Sequence, residues 1–216
     1  MRPRERLIKH GAQILSNEEL LAIFLRVGVK DRNAIELSGD ILRKIGGIRA
    51  LLFSDIKELS EFKGIGTAKW AQLQAVYELV KRALEEQLKT SDVIDSPGVV
   101  REFLQTSIGH LRHEVFVCLY LDRANQLIEF QEIFRGTVDK TPVYPKEIAK
   151  EALKRNAYSL IIAHNHPSGN PLPSDSDVEL TKVVMEMMNL IEVNLLDHCI
   201  VTENSFFSFS DAEMLF

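Results

Sequence analysis

The stretch Tyr158-Ser159-Leu160-Ile161-Ile162-Ala163-His164-Asn165-His166-Pro167-Ser168-Gly169-Asn170-Pro171-Leu172-Pro173-Ser174-Asp175-Ser176-Asp177 decides the architecture of the second half of this chain. Tyr158 to Ala163 is a short apolar run of strand length and predicts a buried strand. The Pro- and Gly-containing loop then turns the chain back, and Ser174 is an N-cap for a helix reaching about Leu190. Side chains alternate along a strand, so histidines at i and i+2 point to one side. Asp177 falls in the first helical turn, where the helix dipole favours a carboxylate. Two imidazoles and one carboxylate form a three-ligand set with a fourth tetrahedral position left for water, the pattern of catalytic zinc. His164, His166 and Asp177 are therefore the candidate ligands for one Zn2+ per chain. Read singly, the histidines are a surface pair and Ser174 and Asp177 a helix cap; the whole string at this spacing favours the metal.

Outward from that stretch, strands and helices interleave. Glu114 to Leu121 predicts a strand, Asp122-Arg123-Ala124-Asn125 a turn, and Gln126 to Phe134 its hairpin partner. Pro145 to Arg155 predicts a helix with Ile148, Ala149 and Ala152 inward, Val193 to Val201 a strand, and Phe206 to Phe209 another. Such alternation implies helices packed on a sheet. His198, in the late strand, reads either as a core histidine or as an outer partner of the metal site.

The first ~88 residues read instead as helices joined by short Gly-containing turns. Ser16-Asn17-Glu18-Glu19 is a capping-box start, and Asn33 to Ile45 is apolar-periodic up to Gly46-Gly47. Ile56 to Phe62 is a further helical stretch. A long helix is predicted from Thr67 to about Gln87, with Trp70, Leu73, Val76, Tyr77 and Val80 along one side. Leu88 to Asp95 breaks the pattern, and Ser96-Pro97 restarts a helix. The domains expected are 1–90 and 96–216.

The net charge of -5 is unevenly spread. Residues 1–90 carry 16 Lys and Arg against 12 Asp and Glu, a net +4, and residues 91–216 carry 10 against 19, a net -9. The halves present different fields to partners. Phe62-Lys63-Gly64-Ile65-Gly66-Thr67-Ala68-Lys69 resembles a helix-hairpin-helix turn. Gly64 and Gly66 allow backbone N–H groups to face a phosphate, Lys63 and Lys69 add charge, and Ile65 plugs the turn into the core. Ile23-Phe24-Leu25-Arg26-Val27-Gly28 looks like a degenerate copy, with Arg26 in place of the first glycine and Val27 where the plug belongs. DNA is the expected partner of this half, bound without sequence readout; a plain structural turn, or a protein partner, is the competing reading.

No apolar run approaches the ~20 residues of a membrane span, and the charged start Met1-Arg2-Pro3-Arg4-Glu5-Arg6 is unlike a secretory signal. Cys118 and Cys199 lie in apolar runs and read as buried thiols. A cytoplasmic protein without membrane attachment is expected.

The string His-x-His-x7-Ser-x2-Asp resembles the JAMM (JAB/MPN) metalloprotease motif. That resemblance implies Glu114, at the start of an earlier strand, as the acid/base residue that takes a proton from the attacking water and passes it to the leaving amine; Glu147 is the fallback. It implies Ser174 as the residue stabilising the oxyanion. Arg2-Pro3-Arg4-Glu5, Phe134-Arg135-Gly136-Thr137, His164 to Gly169 and Asp197-His198-Cys199-Ile200-Val201 look like the bacterial RadC family, over essentially the whole chain. The fold implied is α+β: an all-helical helix-hairpin-helix domain, then a mixed-sheet JAMM domain similar to zinc deaminases. The first few residues usual in that family are absent here. Val117 stands where a His-Glu-x-x-His motif opened by His113-Glu114 needs its second histidine, and no Pro-Cys-x-x-Cys follows the histidines, which disfavours a nucleobase deaminase. The resulting expectation is a zinc peptide or isopeptide hydrolase acting on an unknown protein, attached to a DNA-binding domain. The rivals are a non-catalytic DNA-binding accessory protein in repair or recombination and a metal-dependent nuclease.

Overall fold

A computed structural model describes residues 1–136 and 145–215; Thr137, in one of the resemblance phrases, lies outside them. By internal compactness the chain forms two units, Met1–Leu79 and Val80–Phe216.

The first unit is helical. α1 (Pro3–His10) and a short 3-10 turn (Ala12–Ile14) lead to α2 (Asn17–Leu25), α3 (Ala34–Ile45), α4 (Ile48–Phe53), α5 (Ile56–Ser60) and the first part of α6 (Thr67–Thr90). The capping box at Ser16 is present: its hydroxyl accepts from Glu19 N–H, and the Glu19 carboxylate accepts from Ser16 N–H at 3.0 Å. Leu21, Leu25, Leu37, Ile41, Leu59, Ile65 and Leu73 form the core. Ile65 is buried, as its plug role requires.

The first hairpin departs from the sequence reading. Val27 is 64% exposed, and Val29 is the residue packed against the core. The loop is tied across Val29 and Arg32 by paired backbone bonds of 3.0 and 3.1 Å, which moves the inward position two residues on. Along α6, Val76 and Val80 are exposed, while Trp70, Leu73 and Tyr77 of the expected side pack inward, Tyr77 edge-on to Phe53 with ring centroids 5.2 Å apart; Leu88, beyond the expected helix end, is fully buried in the second unit. α4 was hidden in the sequence by its brevity and by the double glycine before it.

The second unit is a five-stranded sheet in the order β2-β1-β3-β4-β5. The strands are β1 (Val115–Leu121), β2 (Leu127–Arg135), β3 (Ser159–Asn165), β4 (Asn194–Val201) and β5 (Phe206–Ser208). β1 is antiparallel to β2 and β3, β3 and β4 are parallel, and β5 returns antiparallel on β4. α7 (Pro97–Ile108) packs on one face through Val100, Phe103 and Leu104. Pro97 starts it as expected, although Ser96 makes no side-chain capping bond. α8 (Pro145–Lys154) and α9 (Asp175–Leu190) cover the other face, with Ile148, Ala149, Ala152, Val184 and Met188 against Phe116, Cys118, Leu160 and Ile162. Every residue of β1 and β3 is buried, which explains their unbroken apolar sequence. β3 is the central strand and runs on through His164, two residues further than its apolar run.

Candidate metal centre

Three elements converge at the carboxyl end of β3. His164 lies within the strand and His166 just after it, held by a 2.9 Å bond from its N–H to the Val201 carbonyl. Asp177 is the third residue of α9. His164 Nε2 lies 2.9 Å from His166 Nε2 and 3.3 Å from Asp177 Oδ1; His166 Nε2 lies 3.5 Å from Asp177 Oδ2. Tetrahedral zinc with ligand bonds of about 2.0–2.1 Å spaces its donors about 3.3–3.4 Å apart. The spacing fits the ion.

The proton positions make the case stronger. His166 Nδ1 faces the Asn170 carbonyl at 2.8 Å, an acceptor only, so Nδ1 carries the proton and Nε2 a lone pair. His164 is fixed through a longer chain. The Thr181 hydroxyl donates its one proton to the Asp177 carbonyl at 2.6 Å and so accepts from His198 Nδ1–H, also at 2.6 Å. His198 Nε2 then accepts from His164 Nδ1–H at 2.9 Å. Both Nε2 atoms therefore turn lone pairs toward a carboxylate. Electron-pair donors this close repel unless a cation or a proton sits among them.

Burial and the neighbouring His164 push the His198 imidazole well below its ordinary value, keeping it neutral for its two opposite roles. Burial pushes the Asp177 carboxyl up, but the His164 and His166 imidazoles and the Ser174 hydroxyl outweigh it and hold the group far below the carboxylate range. The Asp177 carboxylate beside it raises the His166 imidazole above its ordinary value. A phenyl ring stacks beneath: Phe116 and His164 are nearly parallel at 9°, centroids 6.1 Å apart.

Ser174 caps α9. Its N–H and hydroxyl donate to Asp177 Oδ2 at 2.8 and 2.6 Å, leaving Oδ1 to face His164 Nε2. Glu114 immediately precedes β1 and is exposed. The register pairs Phe116 with His164, and two further residues along it set Glu114 across from His166. A carboxylate oxygen of Glu114 and a ring nitrogen of each histidine lie within 4.8 Å of one another. Glu147, the fallback, is not in that group and pairs with Lys150 at 3.6 Å.

Two residues escaped the sequence reading. Asn165, between the histidines, faces the other way and is fully buried. Its Oδ1 accepts from Val115 N–H at 2.7 Å, and its Nδ2 donates to the Leu111 and His113 carbonyls at 3.1 and 3.0 Å. It thus fixes the segment that carries Glu114. Thr181, one turn after Asp177, closes the His198 relay. Its helical spacing from Asp177 was legible; its partner on another strand was not.

In the second hairpin Gly64 has φ +89°, and a Cβ there would meet Val29 Cγ1 at 2.5 Å, so the two turns pack together. Gly66 is exposed and Lys63 points into solvent, but Lys69 Nζ donates to the Gly64 carbonyl at 2.6 Å and is spent inside the turn.

A JAB-type domain is what this sheet and donor set define, and comparison with known proteins agrees. Residues 94–214 match the RadC-like JAB domain and residues 1–71 the UPF0758 N-terminal domain. The chain belongs to the RadC family. It is similar to UPF0758 proteins of Janthinobacterium sp. (strain Marseille), 48% identical over 97% of this chain and 94% of that protein, and of Nitrosospira multiformis, 46% identical over 99% and 96%. A third, from Herminiimonas arsenicoxydans, is 47% identical over 99% and 96%.

Proposed function

We propose that this protein is a zinc-dependent peptide or isopeptide hydrolase whose helical half binds DNA without sequence readout. The observation that carries the hydrolase reading is the inward convergence of two imidazole lone pairs and a buried carboxylate beside an exposed glutamate. His164, His166 and Asp177 would hold the ion. Zinc in such a site lowers the pKa of water to about 7 and polarises a carbonyl.

The chain's own residues do the rest. Glu114, an exposed carboxylate beside the histidines, takes the proton from the attacking water and returns it to the leaving nitrogen. Ser174 orients Asp177, and rotation of its hydroxyl offers a donor to the developing oxyanion. His198 and Thr181 hold the His164 tautomer. Lys63, Gly64, Ile65, Gly66 and Lys69 are the DNA-binding turn; the exposed glycines and Lys63 support a phosphate contact, while Lys69 acts by bracing the turn. Among the described residues no helix is long and apolar enough to cross a membrane, and the buried thiols Cys118 and Cys199 suit a reducing cytoplasm.

The test is Glu114→Gln. The variant should keep its zinc, lose about 10²–10⁴-fold in hydrolysis of isopeptide-linked or peptide substrates, and retain substrate that the wild type releases. Wild-type turnover by the variant would overturn the assignment. A cellular phenotype that survives Glu114→Gln but not disruption of Gly64-Ile65-Gly66 would favour the non-catalytic DNA-binding reading.

A further inference from the structure

The helical unit holds a groove of about 890 Å³ apart from the Gly64–Gly66 turn. Arg2 and Arg4 at the start of α1, Arg26 at the end of α2, and Asn33 at the start of α3 line it, over an apolar floor that includes Ile23 and Ile35. Among the described residues no carboxylate lines it. The neighbouring acids are engaged in capping or pairing: Glu5 with Arg2 N–H at 3.0 Å, Glu36 with Asn33 N–H at 2.9 Å, and Glu19 with Arg6. Arg32 and Arg43 pair with Asp40. By contrast, among the described residues no ion pair or side-chain hydrogen bond engages the guanidinium groups of Arg2, Arg4 or Arg26.

Arg26 is held in an unusual way. Its φ is +67° and ψ -42°, and Val27 N–H donates to the Leu25 carbonyl across it at 2.9 Å, a γ-turn of the rare, strained hand. The matching position of the second hairpin is Gly64, where positive φ costs nothing. Here an arginine occupies the glycine position and lines the groove. In the first turn of α3 the Ile35 and Glu36 N–H groups are taken by Asn33 Oδ1, so the attraction comes chiefly from the guanidinium groups.

We infer that this groove, between α1 and the first hairpin, binds the phosphodiester backbone of nucleic acid through Arg2, Arg4 and Arg26. Planar guanidinium forks match phosphate oxygens two at a time, and the apolar floor suits a sugar face. The inference rests on the reading that the helical half binds nucleic acid, and relocates the main contact from the second hairpin to the first.

The test uses the full-length protein, a fluorescein-labelled 20-base-pair duplex and a salt series. Arg4→Glu with Arg26→Glu should weaken binding at least tenfold, and each lost phosphate contact should lower the salt slope by about 0.9. Arg26→Gly guards against misfolding: it relieves the strained turn, so it should raise the melting temperature while weakening binding about threefold or more. Inorganic phosphate alone should show no saturable uptake. Arg26→Gly and Arg4→Glu each binding within twofold of wild type, or saturable phosphate uptake with duplex binding unchanged, would overturn the groove. If Lys63→Glu abolishes binding while the arginine variants do not, the nucleic-acid reading survives and the groove alone fails. If the wild type does not bind the duplex, both fail.

Discussion

At the scale of single residues, the centre is a matter of where protons sit. Asn170 and Asp177 each present a carbonyl that can only accept, and from these two fixed points every tautomer follows through His166, Thr181, His198 and His164. Thr181→Val keeps the shape and deletes the acceptor for His198 Nδ1–H. His198 is then free to flip its tautomer and donate toward His164. The expected result is a zinc dissociation constant raised about 10-fold or more in chelator competition, as for outer partners of zinc ligands generally, with Thr181→Ser restoring it. A change under twofold would sink the relay. His164, His166 and Asp177 were legible because spacing alone brings them together. Asn165 and Thr181 were not, because their partners lie 50 and 17 residues away.

At the scale of elements, β4 and β5 are clasped by Asp197. Its carboxylate accepts from the Ser208 hydroxyl at 2.6 Å, Ser210 N–H at 2.9 Å and the Cys199 thiol at 3.4 Å. Burial outweighs these bonds and raises its pKa above the ordinary value. The sign follows: between the unfolded and the raised folded pKa the native state binds more protons. This contribution to stability is therefore fully present below the unfolded value and lost as pH rises through the folded one. Asp197→Asn should lower the melting temperature at neutral pH, because an amide offers one acceptor oxygen where the carboxylate offers two. The gap between variant and wild type should widen as pH falls from neutral through the raised Asp197 pKa. A gap that narrows would contradict the buried charge. Most elements were legible, since strand and helix periods are distinct here; boundaries were not. β3 outruns its apolar run because His164 and Asn165 are satisfied by side-chain partners, and the first hairpin turns inward at Val29 because backbone pairing with Arg32 re-registers the loop.

At the scale of the whole molecule, a helical half of net +4 is joined to a sheet half of net -9 through α6, the division by compactness falling within that helix. The sequence break at Leu88 to Asp95 contains the end of α6 at Thr90. The charge contrast was legible; the arginine groove was not, because Arg2, Arg4 and Arg26 are brought together only by the packing of α1 on α2. The central claim concerns the metal. Purified protein, dialysed against buffered zinc and analysed for metal per chain, should hold one equivalent. That zinc should raise the melting temperature, as any ligand bound only by the folded state must, and His164→Ala and Asp177→Ala should each abolish both effects. Less than about a tenth of an equivalent in the wild type, against the one ion of a three-ligand site, with no uptake on titration, would contradict it.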